Sequence, residues 1–202
     1  MKKIALALIG ISLLSCSDKK ASAVETEKTS DSIVKYVSPE IIDRKQLIIP
    51  GKSIGLTQLG QNAETLASLG KPDFSDAAMG KAWATWYSKD GQKKELNIYT
   101  TYKNSEMKEK VIRQIRITSP EFKTSDKIAT GKSLNDIQKS FPKVKLVGGY
   151  NANGKAVQLY DDADSGIAFE IENDLCIGII IHETGKKVTD EYITLHPDIK
   201  RF

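Results

Sequence analysis

The feature that most constrains the fold of this chain is a helix-start pattern that occurs twice. The segments GQNAETLASLGKP (60–72) and GKSLNDIQKSFPK (131–143) each place a glycine two residues before a capping side chain, Asn62 or Ser133. Oxygens at such positions accept hydrogen bonds from the free N–H groups of a helix start. Glycine or proline near the end of each segment then stops the helix. Each segment is therefore predicted to form one short helix.

Three strand-length segments follow each predicted helix. They are rich in β-branched and aromatic residues and are bounded by Gly, Asn, Asp or Lys, which is typical of strands joined by turns. Short connections between neighbouring strands imply antiparallel pairing. The segments are KAWATWYS (81–88), ELNIYTTY (95–102), EKVIRQIRIT (109–118), KAVQLYDD (155–162), GIAFEIEN (166–173) and LCIGIIIHE (175–183).

These elements predict an α+β fold. Two tandem modules, each a helix plus three strands, would occupy residues 46–125 and 126–202, the second range including a C-terminal tail. Their strands would form one antiparallel sheet with the helices on one face.

The order of a capped helix, the sequence LGKP and an antiparallel meander resembles the tandem modules of β-lactamase-inhibitor-protein-like domains. It is also similar to the small outer-membrane assembly lipoproteins of the SmpA/OmlA type. The resemblance covers about residues 50–184 and rests mainly on GQNAETLASLGKPD (60–73) and the strand pattern. It implies a binding scaffold without catalytic residues, whose sheet presents a face to a protein partner. The chain lacks the inhibitor's cysteine pairs and has two modules, unlike the assembly lipoproteins.

The first residues predict a lipoprotein signal peptide, residues 1–15. Two lysines precede an apolar stretch, Ile4 to Leu14, that suits a signal-peptide core and is too short to cross a bilayer. The stretch ends in Leu-Leu-Ser-Cys (13–16), which resembles the lipobox of bacterial lipoproteins. The resemblance implies that Cys16 is diacylglycerol-modified and anchors the chain to a membrane through its acyl chains. The alternative is an ordinary secreted protein with a chance cysteine.

Residues 16–45 are predicted to be the lipidated N-terminus and a flexible tether. Between Ser17 and Asp43 the chain is rich in Ser, Thr, Lys and Glu, and such a stretch buries too little apolar surface to offset its ordering entropy. Serine after Cys16 resembles the outer-membrane sorting preference of Gram-negative lipoproteins. We therefore expect a lipid-anchored protein of the cell envelope, at the periplasmic face of the outer membrane.

Nucleotide and nucleic-acid binding are not expected. Gly-Lys-Ser, the ending of a phosphate-binding loop, occurs at 51–53 and 131–133. Such a loop also needs a glycine five positions earlier, where Gln46 and Asp126 stand. The net charge of +4 comes from basic residues interspersed with acidic ones, without the basic stripe of a nucleic-acid-binding surface.

Candidate catalytic and metal-binding patterns are incomplete. His182-Glu183 lacks the second histidine of a zinc-protease helix, because Lys186 stands at its position. On one extended strand, Cys176 would lie about 20 Å from His182, too far for a nucleophile and its base. The acidic turn 161–172 resembles an EF-hand loop in part, but a hairpin turn with its charged residues in solvent explains it more simply. We predict no catalytic residues, no metal and no cofactor.

Aromatic and charged residues of the predicted strands are the candidates for partner binding. Trp, Tyr and Arg carry much of the binding energy of protein interfaces. The two tryptophans lie three residues apart and therefore point to opposite faces of an unbulged strand. The alternative is that a helix or the tether covers the polar face of the sheet. The candidate residues are Trp83, Trp86, Tyr99, Arg116, Tyr160 and Glu170.

Together these patterns predict a non-catalytic protein-binding or scaffolding module that engages another envelope protein. The alternative is an envelope hydrolase, or a carrier of a small ligand or metal, with a pocket that the sequence does not reveal. A purely structural role in the envelope is a third possibility.

Replacing Cys16 by Ala is expected to leave the domain folded and release it from membranes, because the acyl chains are the predicted membrane contact. Fractionation of cells that make wild type or the variant measures this directly. If the variant stays in the membrane pellet after a high-salt wash, the lipobox interpretation is wrong.

Overall fold

The computed structural model describes residues 41–191 and 198–202. The predicted signal peptide, Cys16 and most of the predicted tether lie outside these residues. Within them, no helix combines the length and apolar character that a membrane crossing requires.

Strands dominate the described chain, and helical segments are short. Each helical segment has seven residues or fewer: α1 (Leu134–Ser140) and the 3-10 helices Arg44–Gln46, Ala63–Leu69 and Val188–Glu191. The strands are β1 (Ile48–Ile49), β2 (Ser53–Ile54), β3 (Thr57–Gln58), β4 (Phe74–Ala78), β5 (Lys81–Tyr87), β6 (Glu95–Tyr102), β7 (Lys110–Ile117), β8 (Lys145–Ala152), β9 (Lys155–Asp162), β10 (Ile167–Glu172), β11 (Leu175–Ile181) and β12 (Lys200–Arg201).

Nine strands form one antiparallel sheet in the order β12-β8-β9-β10-β11-β7-β6-β5-β4. Two four-stranded meanders, β4–β7 and β8–β11, therefore meet through their last strands. That junction is short, with Ile179, Ile180 and Ile181 opposite Ile117, Arg116 and Ile115. Strands β1, β2 and β3 form a separate three-stranded sheet.

The α+β prediction of two helix-plus-three-strand modules is wrong. The fold is mostly β, and each meander has a fourth strand, β4 or β8, that the sequence pattern does not reveal. Strand β4 is FSDAA, with every residue exposed and no β-branched side chain. Strand β8 contains Gly148-Gly149, and glycine is depleted in strands. The predicted boundary between residues 125 and 126 falls in the connection between β7 and α1.

The predicted capping residues do cap helices, although the helices are minor elements. Asn62 accepts a hydrogen bond from the Glu64 N–H at 2.8 Å, but the helix that follows is 3-10 and buries no residue. Ser133 accepts from the Asp136 N–H at 3.1 Å, at the start of α1. The helices contribute little to the core. Helix α1 buries a single residue, Ile137, and the 3-10 helix Ala63–Leu69 buries none.

The main core lies on one face of the large sheet, here called the core face. Isoleucines of β6, β7, β10 and β11 pack there with Phe169, with Ile48 and Ile54 of the small sheet, and with Ile137 of α1. Side chains alternate along a strand, so the residues between these isoleucines point to the opposite face, called the polar face. A smaller apolar cluster lies there, formed by Leu159, Ala168, Ile180 and Val188.

The large sheet curls toward its polar face. The Tyr150 side chain of β8 comes within interaction range of Glu170 of β10 and Arg116 of β7, although three strands lie between β8 and β7. In a flat sheet neighbouring strands lie about 4.8 Å apart, which would put the Tyr150 and Arg116 side chains out of reach. The C-terminal strand β12 then closes the outer edge of β8, opposite Gly148 and Gly149.

Candidate functional site

A buried ion pair lies at the centre of the polar face. The Arg116 guanidinium donates to Glu170 through Nη2 at 2.7 Å and through Nε at 2.8 Å to the same Oε2 atom. Arg116 Nη1 also donates to Glu95 and Asn97, each at 2.7 Å. Arg116 is 6% exposed and Glu170 is fully buried, so this pair is closed to solvent, whereas the Glu95 side chain is partly exposed.

The protonation of this network follows from burial and charge. Burial alone would lower the pKa of Arg116, but the charge and hydrogen bonds of Glu170, with the charge of Glu95, outweigh it and hold that pKa above its ordinary value. Burial and the Glu170 charge raise the pKa of Tyr150, which stays a neutral phenol. With its pKa held so high, the Arg116 guanidinium keeps its charge near neutral pH. The network therefore suits a structural role rather than proton transfer.

Gly178 makes the ion pair possible. It lies directly opposite Glu170 across the β10–β11 ladder, and a Cβ at residue 178 would lie 2.2 Å from Glu170 Oε2 and 3.4 Å from Arg116 Nε. The glycine in the apolar segment LCIGIII is thus required by the charges next to it.

A second polar cluster ties the C-terminal segment to the polar face. His182 Nε2 lies 2.9 Å from the Asp161 carboxylate, whose other oxygen accepts the Val188 N–H at 2.9 Å. Gln114 donates to the Val188 carbonyl at 2.8 Å. The expectation that the charged residues of turn 161–172 lie in solvent is wrong for Asp161, Asp162 and Glu170, which are all buried.

The six predicted partner-binding residues do not form one surface. Trp83 and Tyr99 are cross-strand neighbours on the polar face, where Tyr99 is buried beside the buried Arg116–Glu170 pair. The partner-binding role of these four residues stays a prediction. The burial of Tyr99, Arg116 and Glu170 gives those three a structural role as well. The other two, Trp86 and Tyr160, pack against the core on the opposite face.

Two exposed apolar side chains, Phe74 and Met79, lie on the β4–β5 hairpin. Phe74 is 50% exposed and lies 6.1 Å from Trp83 between ring centroids. Met79, at the hairpin tip, is fully exposed. Asp76 stands opposite Trp83 and is exposed. We call Phe74, Asp76, Met79 and Trp83 the hairpin surface. Of these four residues, the sequence indicated Trp83. The segment FSDAA (74–78) has no pattern typical of a strand.

A groove of about 550 Å³ lies at the other half of the sheet. Lys143, Lys145 and Lys187 line it together with the acidic turn, and Lys143 forms an ion pair with Asp164 at 2.9 Å. Both basic and acidic groups line the groove, so it offers no charge of a single sign to a ligand. Among the described residues, no group of three or more metal-ligating side chains converges.

No family model matches this chain, and no curated protein matches it. A solved structure that it resembles is a DUF4309 family protein (YjgB) from Bacillus subtilis subsp. subtilis str. 168, with 13% sequence identity and a TM-score of 0.39. The match covers 66% of this chain and 88% of that one. So distant a likeness supports no conclusion about fold or function. The resemblance to inhibitor-protein-like and SmpA/OmlA-type modules stays a prediction.

Replacing Gly178 by Ala is expected to lower the free energy of unfolding by about 1–3 kcal/mol, the usual cost of forcing extra atoms into a packed site. Urea denaturation measures the change. In a Glu170→Ala background the same substitution should cost much less, because the oxygen that the new methyl group meets is gone. Equal costs in both backgrounds would show that Gly178 serves some other purpose.

The Cys176 thiol is expected to be inert in the folded protein. Burial, followed by the Glu170 charge, raises the pKa of Cys176 to about 12, so at pH 8 the thiol is protonated as well as inaccessible. In a Cys16→Ala chain, Cys176 is the remaining cysteine. A thiol reagent at pH 8 should label it slowly in buffer and rapidly in urea. Rapid labelling of the folded chain would contradict its placement in the core.

Proposed function

We propose that this chain is a lipid-anchored protein of the cell envelope and a non-catalytic binding module for another envelope protein. The observation that carries the proposal is the hairpin surface, where the exposed Phe74 packs against the half-buried Trp83 at the edge strand β4. Aromatic anchors are the residues on which interfaces most depend. The acyl chains on Cys16 would hold the module at the periplasmic face of the outer membrane.

The use of the polar residues supports a binding role over catalysis. Arg116 is committed to Glu170, and His182 to Asp161, in buried pairs whose geometry stabilises the sheet. Reactive groups in an active site need access to a substrate. Phe74, Asp76 and Met79 of the hairpin surface are exposed and belong to no such buried pair.

The second candidate function is that of a small-ligand carrier. The groove beside Lys143 and Asp164 favours it, since ligand sites are concave and of this general size. This candidate places the ligand at the opposite half of the sheet from the hairpin surface, so variants separate the two functions.

Replacing Phe74 by Ser is expected to reduce recovery of the partner by about tenfold, since loss of an interface aromatic typically costs more than 1 kcal/mol. Full-length lipidated chains are crosslinked in cells and purified, and the recovered proteins are quantified. The matched control is Phe202→Ser, which removes an exposed phenylalanine next to β12, at the other edge of the sheet.

Recovery of one envelope protein by wild type and Phe202→Ser, but not by Phe74→Ser, is the expected result. Equal recovery by all three chains would place the interface elsewhere. Recovery of no defined protein by wild type would refute the binding role and direct attention to the groove.

A further inference from the structure

The two edges of the large sheet are treated differently. At one edge, the C-terminal strand β12 pairs with β8. At the other, β4 pairs with β5 on its inner side, and no described strand pairs with its outer side. An open edge presents unpaired N–H and C=O groups that another chain can use. Among the described residues, the protein therefore closes one edge with β12 and leaves the outer edge of β4 unpaired.

The hairpin geometry tells which backbone groups face outward. Met79 and Gly80 form its two-residue turn, both with positive φ, at 50° and 78°. In such a turn the carbonyl of the first flanking residue accepts from the N–H of the last, so Ala78 and Lys81 form a hydrogen-bonded pair. Hydrogen-bonded pairs alternate along an antiparallel ladder. The N–H and C=O groups of Ser75 and Ala77 consequently point away from β5.

The side chains of β4 select what can lie beside it. Ser75 and Ala77 are small, so nothing bulky obstructs an approaching strand on the core face. On the polar face, Asp76 follows Phe74 at the next like-facing position. Asp73 is already engaged by the Tyr87 N–H and by Lys89. In the described part of the chain, Asp76 has neither an ion pair nor a side-chain hydrogen bond.

We propose that the outer edge of β4 receives an extended segment of the partner protein as a tenth, antiparallel strand of this sheet. The segment carries a basic residue opposite Asp76 and an apolar residue against Phe74 and Trp83. Opposite charges and apolar–aromatic pairs directly across a ladder are favourable, and strand addition of this kind is a general mode of peptide recognition. This inference rests on the proposed function and specifies which residues the partner's segment carries.

Charge also argues against a second copy of this chain as the occupant. Two β4 strands that pair Ser75 with Ala77 in both directions would place Asp76 directly opposite its counterpart. Like charges in that position are destabilising. A foreign strand with a basic residue at the same position turns this repulsion into attraction, so Asp76 would provide selectivity.

The binding geometry is tested with a photo-crosslinking amino acid placed at residue 75 or 77 of the full-length lipidated chain in cells. If the residue captured from position 77 is called j, position 75 should capture residue j+2 of the same segment, because the strands are antiparallel. Residue j+1 should be Lys or Arg. Capture of another copy of this chain, of sites without this spacing, or of a segment lacking the basic residue would overturn the proposal.

Variants test the same contact without a crosslinker. Ala77→Pro removes an outward N–H while keeping the inner ladder, as proline on an edge strand can, and should reduce partner recovery about tenfold. Ala77→Thr keeps the N–H and is the matched control, with recovery within about twofold of wild type. Asp76→Lys should reduce recovery about tenfold by reversing the charge. Circular dichroism and thermal unfolding verify that all three chains fold.

The outcomes separate this inference from the proposed function. Partner recovery that is lost in Phe74→Ser but unchanged in both Ala77→Pro and Asp76→Lys overturns strand addition and leaves the binding role standing. Failure of wild type to recover any partner overturns both. Loss in Ala77→Pro and Asp76→Lys, with retention in Ala77→Thr, supports the tenth strand.

Discussion

The structure depends first on the ion pair that Arg116 and Glu170 form inside the sheet. It joins the first meander to the second where β7 and β11 share a short register. Removing two charges from water costs several kcal/mol per ion, and the cost is recovered only with good geometry and further hydrogen bonds. Glu95 and Asn97 supply two of these bonds, and Gly178 leaves space for the carboxylate. The buried pair thus explains why β6 carries polar residues at 95 and 97 and why β11 has a glycine at 178.

The two meanders have the same topology of four antiparallel strands, but they differ in burial and in how their outer edges are covered. In the second, β10 and β11 are buried on both faces for most of their length, Asp161 binds the Val188 N–H, and β12 closes the edge. The first ends in β4, whose residues are all exposed. Strand β4 therefore contributes no buried residue to the core, which leaves the hairpin surface available for recognition. Regions with few buried contacts are the ones that proteins commonly use for binding.

The sequence predicted local features better than their assembly. The six segments chosen as strands correspond to β5–β7 and β9–β11, and both capping residues cap a helix. Strands β4 and β8 escaped notice because exposed or glycine-containing strands lack the β-branched signal. Arg116 and Glu170 were predicted to bind a partner, since nothing local indicates that residues so far apart in the chain meet across β11 on one face of the sheet.

What the sequence determined by itself is what local periodicity and steric preference encode: antiparallel strands with alternating faces, capped helical turns at Asn62 and Ser133, and opposite orientations for Trp83 and Trp86. Tertiary structure decided the rest. It paired the last strands of the two meanders, buried Arg116 with Glu170, and placed β4 at an edge that no other described strand covers. These outcomes depend on contacts between residues distant in the chain, whose energies arise from desolvation and geometry that no short segment contains.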